Sequence, residues 1–181
     1  MSLIVFSHAN SFPASTYAVL FRSLIGAGLM WPLWRLTGGR WPDAVRALSR
    51  IQPSGPEDDL AAYAALTYAH IKARASGQVA DEWLDAQTEF SATKHTGHYG
   101  ASIRMWQGHF DSSELAASLN KLRGTSQQDA FGEALFHRMA YVRYVERDPS
   151  AAMALFERLN ELAPYGNIEW IYAKQVLAAP R

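Results

Sequence analysis

The chain has 181 residues, 49% of them apolar and 19% charged, with 17 Lys plus Arg against 17 Asp plus Glu. This is enough apolar material for one ordinary domain with its own core, so neither a disulfide nor a structural metal is required. The lack of cysteine excludes disulfides, thiolate metal sites and cysteine nucleophiles. The neutral balance gives no electrostatic basis for gripping a polyanion, so nucleic acid is not an expected partner.

At the N-terminus, Met1–Phe6 is apolar but runs directly into His8, Asn10 and Ser11. The next apolar run, Leu24–Trp34, is 11 residues long and contains Pro32, whereas a membrane span needs about 20. Neither a cleaved signal nor a span is expected, and a cytoplasmic location is the default. Leu3–Phe6 has the character of a short strand, Ser11–Phe12–Pro13 of a turn. Thr16–Met30 has helical character weakened by Gly26 and Gly28.

From Trp41 the pattern is helical throughout. A helix over Asp43–Ile51 is stopped by Gln52–Pro53–Ser54–Gly55–Pro56. Glu57–Asp58–Asp59 then sets negative charge at the start of Leu60–Ala75, where the helix dipole favours it. Val79–Phe90 follows, with Ser91–Gly97 as a polar loop, then Tyr99–His109. Asp111 with Glu114 three residues on predicts a capping box ahead of Glu114–Leu122. Arg123–Ser126 is a break, and Asp129–Arg147 a long helix with a broad apolar face. Asp148–Pro149 caps and opens a helix to Leu162, closed by Pro164, and Asn167–Leu177 is the last. No sustained heptads argue for a coiled coil, and no alternating strand pattern occurs after residue 12.

A period of 36 residues runs through this pattern. Ala44, Ala80, Ala116 and Ala152 are spaced by it, and four residues beyond them stand Leu48, Leu84, Asn120 and Phe156. A small residue early in a helix lets a neighbour approach, and a large one a turn later fills the gap to the next unit. Helical pairs that cannot bury their apolar faces alone then stack into a solenoid.

The segment Glu133–Pro164 resembles a tetratricopeptide repeat. It has Met139–Ala140 where that family has a Leu–Gly/Ala pair, Ala152 at the small position, Phe156 at the aromatic one and Pro164 at the end, and Trp170 follows where a new repeat often begins. The resemblance covers Glu133–Leu177 well and Trp41–Arg123 weakly. The family's period is two residues shorter, Asn120 interrupts the large apolar position, and Ala92 and Gln128 replace the closing proline. The resemblance implies an all-α fold of antiparallel helical hairpins stacked as a solenoid, with residues 25–181 as the repeat domain. It also implies a non-catalytic scaffold that takes a protein or peptide along the groove lined by the first helix of each pair. Carried onto this chain, the groove residues are Lys72, His98, Ser102, Met105, His137, Arg138, Tyr141 and Tyr144. A domain whose helices dimerise is the alternative, with a second copy as partner.

Residues 1–24 are atypical. The string from Leu3 to Leu24, with His8–Ala9–Asn10–Ser11–Phe12–Pro13 in its loop, resembles the front of an α/β-hydrolase. That family needs a nucleophile elbow, usually Gly-x-Ser-x-Gly. Gly100–Ala101–Ser102–Ile103–Arg104 lacks the closing glycine and sits in a helical stretch, so hydrolase activity is not expected, and an inactive or fragmentary relative is the remaining form of this reading. Leu20–Phe21–Arg22–Ser23 is also what a common sequencing adapter would encode, which fits a chimeric join.

No cofactor or metal is expected. His95, His98 and His109 lie near Asp111 but lack the His-Glu-x-x-His arrangement and read as solvated loop residues. Gly38–Gly39–Arg40 matches no phosphate-binding loop, and the six tryptophans read as packing residues.

Overall fold

The computed structural model describes residues 40–76, 78–162 and 168–178. The strand and helix expected over 3–30, the hydrolase-like segment 1–24 and the closing Pro164 lie outside them. The described residues form eight α-helices and one π-helical turn, with no strand among them. The helices are α1 Trp41–Leu48, α2 Asp59–Arg74, α3 Glu82–Lys94, α4 His98–Trp106, α5 Ser112–Leu119, α6 Gly124–Tyr141, α7 Pro149–Glu161 and α8 Ile168–Ala178, with the π turn Val142–Glu146 continuing α6. The chain is all-α, as its periodicity predicts. No helix among the described residues is long and apolar enough to cross a membrane.

Aspartate caps set four of the helix starts. Asp58 accepts from Ala61 N–H at 3.0 Å while Ser54 holds the same carboxylate through its N–H and hydroxyl. Asp81 accepts from Leu84 N–H at 3.0 Å, and Asp148 from Ala151 N–H at 2.9 Å ahead of Pro149. Each satisfies an N–H that the first turn leaves without a partner. Asp111 caps α5 through Ser113 and Glu114 N–H. The reciprocal half of the expected capping box is not formed, because Glu114 pairs with Arg104 of α4 instead.

Several boundaries shift by up to three residues, and two differ more from the expectation. Helix α3 continues through Ser91–Lys94, expected as loop. Its polar residues are satisfied inside the helix: Thr88 donates to Leu84 O at 2.7 Å, and Gln87 to the Ser91 hydroxyl at 3.1 Å. Helix α6 begins at Gly124 rather than Asp129. Gly124 adopts φ +60°, a turn conformation open to glycine, and Gln127 ties the new helix back to Leu119 O at 3.2 Å.

Helix α2 packs on α1, α3, α4 and α6; α4 on α3, α5 and α6; α6 on α7 and α8; and α7 on α8. Alternate helices therefore form an interior row, α2–α4–α6–α8, flanked by α3, α5 and α7. Side-chain pairs show the row to be parallel. Asp59 meets His95, Tyr63 meets Tyr99 and His70 meets Trp106, each pair 36 residues apart. His98 meets Glu133 and Trp106 meets Tyr141, 35 apart. Of the four marker alanines, Ala44 and Ala152 are fully buried, whereas Ala80 is exposed in the link before α3 and Ala116 is exposed on α5. The four alanines therefore do not share one structural role, while offsets of 35 and 36 residues recur among contacts within the interior row.

The α3–α4 link leaves no room for a side chain at Gly100. A Cβ built on Gly100 would stand 2.0 Å from the His95 carbonyl oxygen, which is backbone and cannot swing away. Gly100→Ala is expected to cost about 1–3 kcal/mol through forced backbone displacement, read as a lower urea midpoint. An unchanged midpoint would show that the link yields without cost.

Candidate functional site

The interior row carries two polar layers, one near each end. Near the N-terminal ends, the Tyr63 hydroxyl donates to Glu169 Oε1 at 2.5 Å, with both residues buried. Tyr99 meets Tyr63 edge-on at 5.8 Å between centroids, and His98 lies over Tyr99 and bonds Glu133 at 3.2 Å. Burial, then the negative charge of Glu133, pushes the Glu169 carboxyl up to about 8. The same two causes, burial first, push the Tyr99 hydroxyl well above its usual range; for Tyr63 the charge of Glu169 follows burial.

His95 borders this layer. Gly97 N–H donates to its Nδ1 at 3.1 Å, so the ring proton sits on Nε2, which faces Asp59 at 3.0 Å. The expectation of solvated loop histidines is therefore corrected for His95, which is 3% exposed, and for His98, which is largely covered. Their carboxylate partners arrive from neighbouring helices of the row, 36 residues away in the chain for His95 and 35 for His98. His109 is exposed. Among the described residues, no group of three or more His, Asp or Glu side chains is arranged to hold a metal ion.

The second layer lies toward the C-terminal ends. His70 and His137 meet edge-to-face at 6.0 Å, Trp106 stacks on His70 at 5.5 Å and 13°, and Phe136 and Tyr144 close around His70 at 5.7 and 5.9 Å. Both histidines are 1% exposed. All four of their ring nitrogens, and the Trp106 indole nitrogen, lack a hydrogen-bond partner among the described residues. Burial drives the His137 pKa down to about 3, helped by the nearby His98. His70 is held well below its usual value by burial, then by His137 and Arg74. Both rings are neutral at ordinary pH. Arg74 fills the adjoining edge, its guanidinium 4.8 Å from the Trp41 ring and 5.0 Å from Tyr144.

Above this layer opens a cleft of about 430 Å³, lined by Tyr68, Lys72, Asp85, Thr88, Trp106 and Val145 among others. Lys72 and Asp85 pair at 2.6 Å on its rim. Beside it, Arg138 pairs with Glu146 at 2.7 Å and lies over Phe110 at 4.7 Å and Tyr141 at 5.5 Å. Phe110 and Val145 are exposed.

The residues assigned to a groove from the sequence are distributed as follows. Lys72 lines the cleft, and Arg138 and Tyr141 stand beside it, joined through Trp106. Ser102, Met105 and His137 are buried in the interior row, His98 is bonded to Glu133, and Tyr144 packs between His70 and Arg74. The sequence reading missed Trp106, His70, Tyr63 and Glu169. The 36-residue offset, applied to aromatic rather than small residues, would have paired Tyr63 with Tyr99 and His70 with Trp106. Comparison with protein-family models, curated proteins and solved structures finds no match.

The raised Glu169 pKa has a consequence for stability. Unfolded, this carboxyl loses its proton near its ordinary value of 4.5; folded, it keeps it to about 8. The folded state binds the extra proton between these values, so the contribution of Glu169 to stability falls as pH rises through that window. Glu169→Gln retains an acceptor for Tyr63 without the charge. The variant is expected to melt close to the parent at pH 4.5 and about 5 °C or more above it at pH 8. An equal offset at both pH values would refute the assignment.

Proposed function

We propose that this chain is a non-catalytic, protein- or peptide-binding helical scaffold of tetratricopeptide-like construction, and that its partner docks at the cleft over Trp106. What supports the repeat reading is the alternation of interior and flanking helices and the recurrent 35–36-residue offset between facing side chains. The single observation that carries the binding reading is the cleft itself: an open, aromatic-floored recess with Lys72 on its rim and Arg138 beside it.

Because Ser102, Met105 and His137 fill the space between the interior helices, the groove expected along their length is shifted here to their C-terminal ends. Cations near helix C-termini are favoured there by the backbone dipole, and an acidic side chain on a ligand can compete with Asp85 for Lys72. The ligand that suits this surface is a short extended peptide with one apolar or aromatic anchor seated on Trp106 and an acidic residue near Lys72. Self-association is the second reading, favoured by the exposed Phe110 and Val145 flanking the cleft; a concentration-dependent sedimentation coefficient would report it.

The test is selection of peptides from a displayed random library against the full chain, followed by titration of the best of them. The double variant Lys72→Glu with Val145→Asp, both on partly exposed positions, is expected to weaken binding by about tenfold or more with an unchanged helical circular-dichroism spectrum. Selected peptides that bind parent and variant with equal affinity would move the surface elsewhere.

A further inference from the structure

We propose that His70 and His137 form an acid-sensitive latch: on acidification a ring takes up a proton, cannot stay where it lies, and the C-terminal turns of α2, α4 and α6 part while the layer at the opposite ends of these helices stays closed.

The argument begins with placement. Two imidazoles meet in a pocket of Trp106, Phe136, Tyr63 and Tyr144 rings, and none of their nitrogens has a partner among the described residues. A neutral imidazole tolerates such a site at some cost; an imidazolium does not, because a buried charge requires pairing. Among the described residues no anion is placed to provide it. On α2 itself the neighbour is the cation Arg74, and on α4 it is His98. Asp85 of α3 is taken by Lys72, Glu133 of α6 by His98, Glu146 of the π turn by Arg138, and Glu169 of α8 by Tyr63. On the α1 side, Arg74 meets the Trp41 ring. A second proton would add repulsion between the two rings.

The layer at the opposite ends of these helices is built differently. There the histidines are met by carboxylates, His95 by Asp59 at 3.0 Å and His98 by Glu133 at 3.2 Å, and the Tyr63 hydroxyl holds Glu169. The Glu169 carboxyl keeps its proton up to about 8 and stays uncharged on acidification, so acid leaves that layer as it is. The latch end also holds the irregular stretch that follows α6. Helix α6 passes there into the π turn Val142–Glu146, which ends at Arg147 in the left-handed region with φ +60°. Tyr144, one wall of the imidazole pocket, stands on that turn.

The latch is tested on the full chain by amide hydrogen exchange followed by mass spectrometry at pH 7.5 and 5.0, corrected for the intrinsic pH dependence of exchange. An imidazole that regains its ordinary value of about 6.5 on opening favours the open state at pH 5.0 by on the order of thirtyfold. Protection over residues 67–74, 101–106 and 134–141 is expected to fall by at least that factor, and protection near the N-terminal ends of α2 and α4 by much less. In the double variant His70→Phe with His137→Phe the pH-dependent loss should vanish. A loss that persists in the variant, or that spreads evenly over both ends, overturns the proposal. Because that variant replaces two buried residues, a second measurement is made on the unaltered protein: nuclear magnetic resonance of the imidazole carbons through a pH titration. Rings that stay neutral until local protection collapses support the latch. A ring that titrates near 6.5 with protection intact refutes it.

Discussion

The fold rests on a helix with almost no solvent face. Helix α2 buries ten of its sixteen residues and packs against α1, α3, α4 and α6. Such a helix must be narrow on most sides, and Ala61, Ala62, Ala64 and Ala65 make it so. It must also bring its larger side chains in with their polar ends provided for, since a buried hydroxyl without a partner is costly. Thr67 donates to Tyr63 O, Tyr63 to Glu169 Oε1, and the Tyr68 hydroxyl accepts from Asp81 N–H. For His70 no such provision exists among the described residues.

From that constraint follow the positions of the other helices of the row. The Tyr63 hydroxyl reaches α8, 106 residues along the chain, so the last described helix closes on the first long one rather than trailing away from it. The inner faces of the row are consequently spent on one another. What remains open is the rim at the helix ends, and the cleft lies there. The same closure explains why Ser102, Met105 and His137 are interior residues.

Local features were legible in the sequence because they depend on a few adjacent residues. Asp148–Pro149 opens a helix whatever surrounds it, Asp111 caps α5, and the proline-rich Gln52–Pro56 segment separates α1 from α2. The spacing of 36 drawn from Ala44, Ala80, Ala116 and Ala152 joins residues of unlike surroundings, since Ala80 and Ala116 fall on exposed positions. Features that depend on a partner far along the chain were not legible. His95 reads as a loop histidine until Asp59 is brought to it, and Glu114 reads as half of a capping box until Arg104 takes its carboxylate. The polar run Ser91–Lys94 reads as loop by composition, yet Ser91 is met within the helix by Gln87. Of the residues assigned to a groove from the sequence, Lys72 lines the cleft and Arg138 and Tyr141 stand beside it, while Trp106 reads as ordinary packing because one residue serves both the buried layer and the open cleft.

The π turn at the end of α6 amounts to one residue more than an α-helix needs over the same stretch. An α-helical residue advances the side-chain direction by about 100°, so that extra residue sets the azimuth at which everything beyond it leaves α6. It aims Tyr144 inward at His70 and Arg74 and leaves Val145 on the cleft. Chain length between Val142 and Glu146 is therefore a more stringent requirement than the identity of most residues in it. A conservative substitution there changes one contact, whereas loss or gain of a single codon would re-aim an entire wall and the approach of α7 with it.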